Sequence, residues 1–132
     1  MKDAILYCDG ASSGNPGESG IGVVLIFEGR TYEISEYIGM ATNNVAEYTA
    51  LIRGLSKARA LKVEGLRIFL DSELLVRQIE GSYKVKNERL KKLYHDVISH
   101  LKSFKDYRIK HIPREQNKKA DILAKKAIKT AS

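Results

Sequence analysis

A chain of 132 residues with 43% hydrophobic and 30% charged residues predicts one globular domain, spanning 1–132, with a substantial core. No apolar run approaches the roughly 20 residues that cross a bilayer, which argues against a membrane protein. The N-terminal segment has an acid at position 3 and only a short apolar run, so we do not expect a secretion signal. The single cysteine, Cys8, has no internal disulfide partner, which favours a reducing, cytoplasmic location.

The net charge of +7 is distributed unevenly along the chain. Residues 1–83 contain 8 Lys/Arg and 11 Asp/Glu, whereas residues 84–132 contain 15 Lys/Arg and 5 Asp/Glu. Such asymmetry is typical of proteins that bind a polyanion. A solvated basic surface explains it equally well, so charge alone leaves both interpretations open.

The first 38 residues predict an antiparallel meander of three strands. Short apolar or alternating runs predict strands at 4–8, 21–27 and 30–38. The glycine-dense segment 10–20 predicts a loop, and residues 28–29 predict a turn.

Helices and strands alternate in the remainder of the chain. An apolar stripe with helical spacing predicts a helix at 44–61, and Asn87 and Asn117 are suitable caps for two later helices. Shorter patterns predict a helix at 72–79, which Gly81 ends, and strands at 66–70 and 107–112. This order predicts an α/β fold built on a sheet of mixed direction.

Four acids occupy comparable places in these elements. Asp9 and Asp71 end predicted strands, and Glu47 and Asp121 lie near the starts of predicted helices. The carboxyl ends of strands line the ligand crevice of an open α/β sheet, so two parallel neighbours would bring Asp9 and Asp71 together. Two carboxylates 4 Å apart repel by about 4 kcal/mol at an effective dielectric constant near 20. Because Mg²⁺ prefers such oxygens, and two ions can hold both reacting oxygens of a phosphodiester, the pattern favours phosphoryl chemistry.

Each acid also has a purely structural explanation. Asp9 precedes Gly10 as a turn acid would, and Asp71 could cap the helix that follows it. Glu47 closes a capping-box pattern with Asn44, and Asp121 suits a helix dipole. No capping argument explains acids on both strand ends and helix starts together.

Four segments of the chain resemble the signature segments of type 1 ribonuclease H, in the expected order. They are YCDGASSGNPG at 7–17, TNNVAEYTAL at 42–51, FLDSELLVRQIEG at 69–81 and HIPREQNKKADILAKKA at 111–127. The resemblance implies a ribonuclease H-like α/β fold. Its five-stranded mixed sheet has the order 3-2-1-4-5, with strands 1–3 as the antiparallel meander and helices on both faces.

The same resemblance implies an endonuclease that hydrolyses the RNA strand of RNA–DNA hybrids and leaves 5′-phosphate and 3′-hydroxyl ends. The resemblance also implies that the enzyme requires Mg²⁺ or Mn²⁺, with two ions per site when substrate is bound. The family's catalytic and metal-binding acids match Asp9, Glu47, Asp71 and Asp121. One ion is expected to help activate the attacking water, and the other to stabilise the leaving 3′-oxygen.

The family's substrate-contact residues match a second set of positions. Glycines permit close approach of the RNA strand, the asparagine pair meets bases and sugars, and a threonine meets a phosphate of the DNA strand. The matching positions are Gly10, Gly14, Asn15, Pro16, Gly17, Thr42, Asn43, Asn44 and Asn117.

The chain departs from many bacterial members in three respects. Glu73 stands where they have Gln, and the chain has no Trp and little room for their basic protrusion, as in the shorter members of the family. Basic residues between 84 and 105 could still bind phosphates, or could be a solvated helix surface. His111 has the sequence offset of the family's mobile catalytic histidine, but the REQN segment suggests that Arg114 takes this role, so both remain candidates.

Three functions therefore compete. The first is a hybrid-specific ribonuclease, and the second is a nuclease that also cuts double-stranded RNA, whose A-like geometry is similar. The third is a non-catalytic hybrid-binding module, which four clustered acids argue against. We expect a monomer, because no extra apolar stripe requires a partner.

Overall fold

The computed structural model describes residues 2–131, which form a five-stranded sheet and four α-helices. The strands are β1 (Asp3–Ser12), β2 (Gly17–Phe27), β3 (Arg30–Ala41), β4 (Gly65–Leu70) and β5 (Asp106–His111). Their order in the sheet is β3-β2-β1-β4-β5. β1, β2 and β3 pair antiparallel, whereas β4 pairs parallel with both β1 and β5. This confirms the predicted mixed sheet and its strand order.

The predicted loop at 10–20 is wrong for most of its length. β1 and β2 stay paired as far as Ser12 and Ser19, which leaves only residues 13–16 as the connection. Gly10 and Gly20 of this segment, and Gly22 just after it, lie against helices, whereas Gly14 and Gly17 lie against each other at the 13–16 connection. A Cβ on Gly22 would lie 1.9 Å from the carbonyl oxygen of Ala120, so only glycine lets the last helix lie this close to β2.

The helices are α1 (Asn43–Ala60), α2 (Glu73–Glu80), α3 (Glu88–Leu101) and α4 (Lys118–Ala131), and a 3₁₀ turn covers Arg114–Gln116. Asn87 caps α3 as predicted, since its Oδ1 accepts a hydrogen bond from the amide of Leu90. Gly81 ends α2 in a left-handed conformation, also as predicted. No helix within residues 2–131 is long and apolar enough to span a membrane.

Helices lie on both faces of the sheet, as the resemblance implied. α1 packs on β1 and β2, and α3 packs on α1, so this face holds the main core. α4 packs across β1, β2 and β3 on the other face, around a smaller cluster of Val24, Ala120 and Leu123. This arrangement places the starts of α1 and α4 near the same edge of the sheet.

Candidate active site

The parallel pair β1 and β4 places two acids side by side. The last residues paired between these strands are Cys8 and Leu70, so Asp9 and Asp71 both follow directly. β1 itself continues to Ser12 along β2, so the prediction that Asp9 ends its strand is correct only for the pairing with β4. Asp9 is 6% exposed at this point.

The first turns of α1 bring Glu47 to the same point. A Cβ on Gly10 would lie 2.3 Å from the carbonyl carbon of Ala46, so only glycine lets β1 and α1 approach this closely. The amide of Gly10 then donates a hydrogen bond to Oε1 of Glu47. Thr42, not Asn44, caps α1, because its Oγ1 accepts from the amide of Val45. The capping-box explanation of Glu47 is therefore wrong.

Asp71 has no capping role either. Ser72 caps α2 by accepting a hydrogen bond from the amide of Leu75, which leaves the Asp71 carboxylate available. Its Oδ2 accepts a hydrogen bond of 2.9 Å from Nδ2 of Asn117, and the same Nδ2 lies 2.9 Å from the carbonyl oxygen of Cys8. Asn117 thus fixes Asp71 against the end of β1.

Three of the acids converge within a small space. One carboxylate oxygen from each of Asp9, Glu47 and Asp71 lies within 4.8 Å of the other two. Asp121 lies outside this trio but lines the same cleft, and its carboxylate contributes to raising the pKa of Asp9. Its carboxylate is 18% exposed and lies 3.1 Å from Nζ of Lys125, one turn further along α4.

Burial and mutual repulsion make this cluster unfavourable without a cation. Burial, followed by the nearby Glu47 carboxylate, raises the pKa of Asp9 well above its usual range. Burial also raises the pKa of Glu47, although its hydrogen bonds to Asp9 and Gly10 oppose this change. Hard divalent cations prefer an all-oxygen donor set of this kind, so the residues present fit Mg²⁺ or Mn²⁺.

The structure places Arg114, but not His111, at the acid cluster. Arg114 is one of the residues that line a cleft of about 430 Å³ above the acids, and its Nη2 lies 4.0 Å from Oδ1 of Asp121. Its side chain is 73% exposed, which leaves it free to reach a substrate. His111, the last residue of β5, is exposed and does not line this cleft.

Comparison with known proteins agrees with this geometry. The family model described as "Reverse transcriptase-like" matches residues 7–127. A ribonuclease H from Prosthecochloris aestuarii is 35% identical, and the alignment covers 97% of both chains. LC11-RNase H1, a protein isolated from compost, is 44% identical to this chain. Its crystal structure in complex with an RNA/DNA hybrid matches with a TM-score of 0.90, over 97% of this chain and 98% of that one.

The chain belongs to the ribonuclease H family. A "Bifunctional protein" from Mycobacterium tuberculosis is also similar, with 38% identity over 97% of this chain. The chain spans only about a third of that relative, since the alignment covers 36% of its length.

Six of the nine predicted substrate residues of this ribonuclease H domain lie in the cleft or next to it. Gly10, Asn43 and Asn44 line the cleft beside the acids. The loop residues Gly14, Asn15 and Pro16 are exposed next to it, and Oδ1 of Asn15 accepts a hydrogen bond of 3.0 Å from the amide of Asn43. The peptide bond between Asn15 and Pro16 is cis. This hydrogen bond joins the loop to the start of α1, so both present one surface.

Thr42, Gly17 and Asn117 have roles within the protein. Thr42 caps α1, as described above, and Gly17 is buried so close to Gly14 that a Cβ would collide with its backbone. Asn117 is 2% exposed, which leaves no surface for the predicted substrate contact. Its backbone carbonyl accepts a hydrogen bond from the amide of Asp121 at the start of α4, but its Oδ1 accepts none from the described residues, so the side chain does not cap α4 as predicted.

Sequence reasoning missed several residues that line the cleft. Lys125 adds a cation beside Asp121, and the i, i+4 spacing of the two residues on one helix could have revealed this contact. Ser12 and Ser72 also line the cleft. Ser12 was not predicted because the sequence placed it in a loop rather than in β1.

Proposed function

We propose that this domain hydrolyses the RNA strand of RNA–DNA hybrids and leaves 5′-phosphate and 3′-hydroxyl ends. The observation that carries this proposal is the convergence of Asp9, Glu47 and Asp71 within 4.8 Å, with Asp121 beside them. Such a site is costly for a protein that only needs to fold, because like charges repel in a partly buried position. Its presence at the floor of a polar cleft favours chemistry on a phosphodiester.

The four acids would hold two divalent ions when substrate is bound. Such ions supply Lewis-acid activation of water and charge stabilisation at a leaving oxygen. Asn117 holds the Asp71 carboxylate in place through its amide group. Arg114 and Lys125 provide positive charge next to Asp121, where a phosphate would lie. Arg114 cannot accept a proton at ordinary pH, so its proposed role is electrostatic.

The surface next to the cleft suits the RNA strand. Asn43 and Asn44 lie at the exposed start of α1, where their amide side chains can meet sugars and bases. Asn15 joins the exposed 13–16 loop to this helix start. Contacts to 2′-hydroxyls distinguish RNA from DNA without reading the sequence, which is the selectivity we propose.

A basic groove offers a second place for backbone phosphates. It has a volume of about 450 Å³ and lies between the end of α2 and the start of α3. The residues that line it include Tyr83, Lys84, Lys86, Lys91 and His95. We propose that this groove carries the phosphate contacts for which other family members use a protrusion, with affinity that falls steeply as salt rises.

Double-stranded RNA is a second candidate substrate, because its A-like geometry resembles that of a hybrid. The absence of a protrusion leaves the selectivity between hybrid and double-stranded RNA open. A non-catalytic hybrid-binding module is less favoured, since clustered carboxylates repel the phosphates that such a module would bind.

The test is cleavage of an end-labelled RNA–DNA hybrid with Mg²⁺ or Mn²⁺ and with EDTA. Sequence-matched double-stranded RNA and DNA serve as alternative substrates, and Asp71→Asn serves as the inactive variant. The proposal is supported if the wild-type protein cuts the hybrid only with metal and Asp71→Asn does not cut it. The rate on double-stranded RNA relative to the hybrid measures the selectivity of the enzyme. Tight hybrid binding by folded protein without any cutting would favour the binding module.

We also propose that the domain acts as a monomer in a reducing compartment such as the cytoplasm. The single cysteine, Cys8, is buried in the core with a free thiol, which supports such a compartment. Sedimentation equilibrium tests the oligomeric state.

A further inference from the structure

The α4 side of the sheet is only partly covered by its helix. α4 packs across β1, β2 and β3, whereas β4 and β5 present cationic side chains and one aromatic ring on this side. Side chains alternate along a strand, so Arg67 and Phe69 point away from the core that holds Leu66, Ile68 and Leu70. We call the surface formed by Tyr7, Arg67, Phe69, Arg108 and Lys110 the open sheet face.

Two aromatic rings form the centre of the open sheet face. Tyr7 on β1 and Phe69 on β4 are paired in the sheet register, and their rings stack with centroids 5.2 Å apart and an interplanar angle of 23°. Both side chains are partly exposed. Tyr7 also packs against the cluster around Val24, so the pair is held in a fixed orientation. A rigid, part-exposed aromatic pair on a sheet is a suitable platform for stacking bases.

Three cations lie next to these rings. In the sheet register Lys110 pairs with Phe69. Arg108 pairs with Arg67, two residues earlier on each strand. All three cations are exposed, and within residues 2–131 none of them forms an ion pair. Unpaired cations beside aromatic rings complement phosphates beside bases.

The acids on this side do not cancel the positive charge. Glu33 on β3 is bound by Lys119 at 2.8 Å. Asp3 and Asp106 pair in register with Gly65 at the amino ends of the strands, one step beyond the two arginines. Within residues 2–131, no acid forms an ion pair with Arg67, Arg108 or Lys110, and the acids beyond the rings on this side are Asp9 and Asp71 of the acid cluster.

The open sheet face also adjoins the acid cluster. Tyr7 and Phe69 precede Asp9 and Asp71 by two residues on the same strands, which is about 7 Å along a strand. A polynucleotide strand that leaves the cleft can thus reach the rings within about one or two nucleotides. The hybrid-binding surface proposed above lies on α1, the 13–16 loop and the α2–α3 groove, so the open sheet face is separate from it.

We propose that the open sheet face binds single-stranded nucleic acid, with bases on Tyr7 and Phe69 and phosphates on Arg67, Arg108 and Lys110. The single strand would be an unpaired extension of the substrate in the cleft. The binding itself does not need cleavage, whereas its coupling to a hybrid rests on the proposed function. Stacking and phosphate contacts do not require a particular sequence, so RNA and DNA extensions are both suitable.

The experiment measures binding of fluorescent 12-nucleotide poly(dT) and poly(U) strands in EDTA, over a series of salt concentrations. Arg108→Ala/Lys110→Ala removes two phosphate contacts, and Phe69→Leu removes a ring while keeping an apolar side chain. The matched control is Lys102→Ala/Lys126→Ala. Lys102 follows α3. Lys126 lies two turns after Lys119 on the same side of α4, and Lys119 binds Glu33 on β3, away from β4 and β5.

We expect the double variant to bind more weakly and to lower the slope of log affinity against log salt by about 1.4. We expect Phe69→Leu to weaken binding about fivefold or more without a change in that slope. Both variants should cut a blunt hybrid at the wild-type rate. We expect the wild-type protein to bind a hybrid with an eight-nucleotide single-stranded extension more tightly than a blunt hybrid, and both variants to lose this difference. If Phe69→Leu unfolds, Lys110→Ala alone, at an exposed position, still tests the surface through its phosphate contact and should lower the slope by about 0.7.

The proposal is overturned if the wild-type protein does not bind either single strand, or if the control variant loses as much affinity as the double variant. It is also overturned if the variants act on blunt and extended hybrids alike. Failure of the wild-type protein to cut a blunt hybrid would count against the proposed function alone, because single-strand binding is measured without metal and without cleavage.

Discussion

The two ends of the parallel strands carry acids in opposite electrostatic settings. At the amino ends, Glu64 lies 3.0 Å from Nζ of Lys105, and its hydrogen bonds to Lys105 and the backbone of Lys2 lower its pKa. At the carboxyl ends, burial and neighbouring carboxylates raise the pKa of Asp9 and Glu47. The sheet thus has an acid paired with a lysine at one end, Glu64, and three crowded acids at the other.

This contrast identifies which acids serve function rather than folding. A fold has ready means to neutralise an acid, as the Glu64–Lys105 pair demonstrates. At the other end, the nearby cations Arg114 and Lys125 both contact Asp121, and no residue within 2–131 forms an ion pair with Asp9, Glu47 or Asp71. A partly buried trio of this kind is expected where an external cation completes the charge balance.

The largest effect should come from removing one charge at the crowded end. We expect Asp71→Asn to lower the cleavage rate roughly 10³-fold or more, because a catalytic group that acts as part of a unit is lost. Single-turnover cleavage of the hybrid measures this. The matched control is Asp106→Asn at the other end of the sheet, which should cleave at the wild-type rate. An equal loss of cleavage rate in both variants would contradict the view that only the acids at the carboxyl ends serve the reaction.

A smaller effect should follow from loosening the Asp71 carboxylate. Asn117→Ala removes the hydrogen bonds to Asp71 and Cys8, and loss of such an orienting partner typically costs 10–100-fold in metal affinity or activity. Activity measured against metal concentration checks this. Excess Mn²⁺ should restore part of the activity in Asn117→Ala but not in Asp71→Asn. A loss of stability with unchanged metal dependence would indicate a purely structural role.

The cations near the cleft should have a still smaller effect. Because Arg114 lines the cleft and His111 does not, Arg114→Ala should slow turnover roughly tenfold, less than a fully buried electrostatic group would. His111→Ala should remain close to the wild-type rate. Multiple-turnover kinetics of both variants decide between them, and the reverse order would assign the role to His111.

The smallest effect concerns stability without metal. Asp9→Asn removes a buried charge from the crowded cluster, so we expect the free energy of unfolding in EDTA to rise by roughly 0.5–2 kcal/mol. Denaturant titration measures it. Mg²⁺ should then stabilise the wild-type protein more than the variant. A variant that is less stable than the wild-type protein in EDTA would show that Asp9 supports the fold.

The sequence predicted the elements and the proximity of Asp9 to Asp71 well because both depend on local patterns. Apolar periodicity located the helices, and the signature segments gave the strand order. The extension of β1 to Ser12 was missed because glycine, which usually marks a loop, is required there for close packing of α1 and α4. The role of Asn117 was missed because its partners, Cys8 and Asp71, are 109 and 46 residues away in sequence. Such contacts exist only after the sheet has formed.

The measurement that tests the central claim most directly is Mn²⁺ binding, followed by electron paramagnetic resonance, to the protein in the presence of an RNA–DNA hybrid that resists cleavage. The wild-type protein and Asp106→Asn should bind Mn²⁺ equally well, and Asp71→Asn should bind it at least about tenfold more weakly. Equal Mn²⁺ affinity in all three proteins would contradict the claim that the crowded acids at the carboxyl ends of β1 and β4 form the metal site.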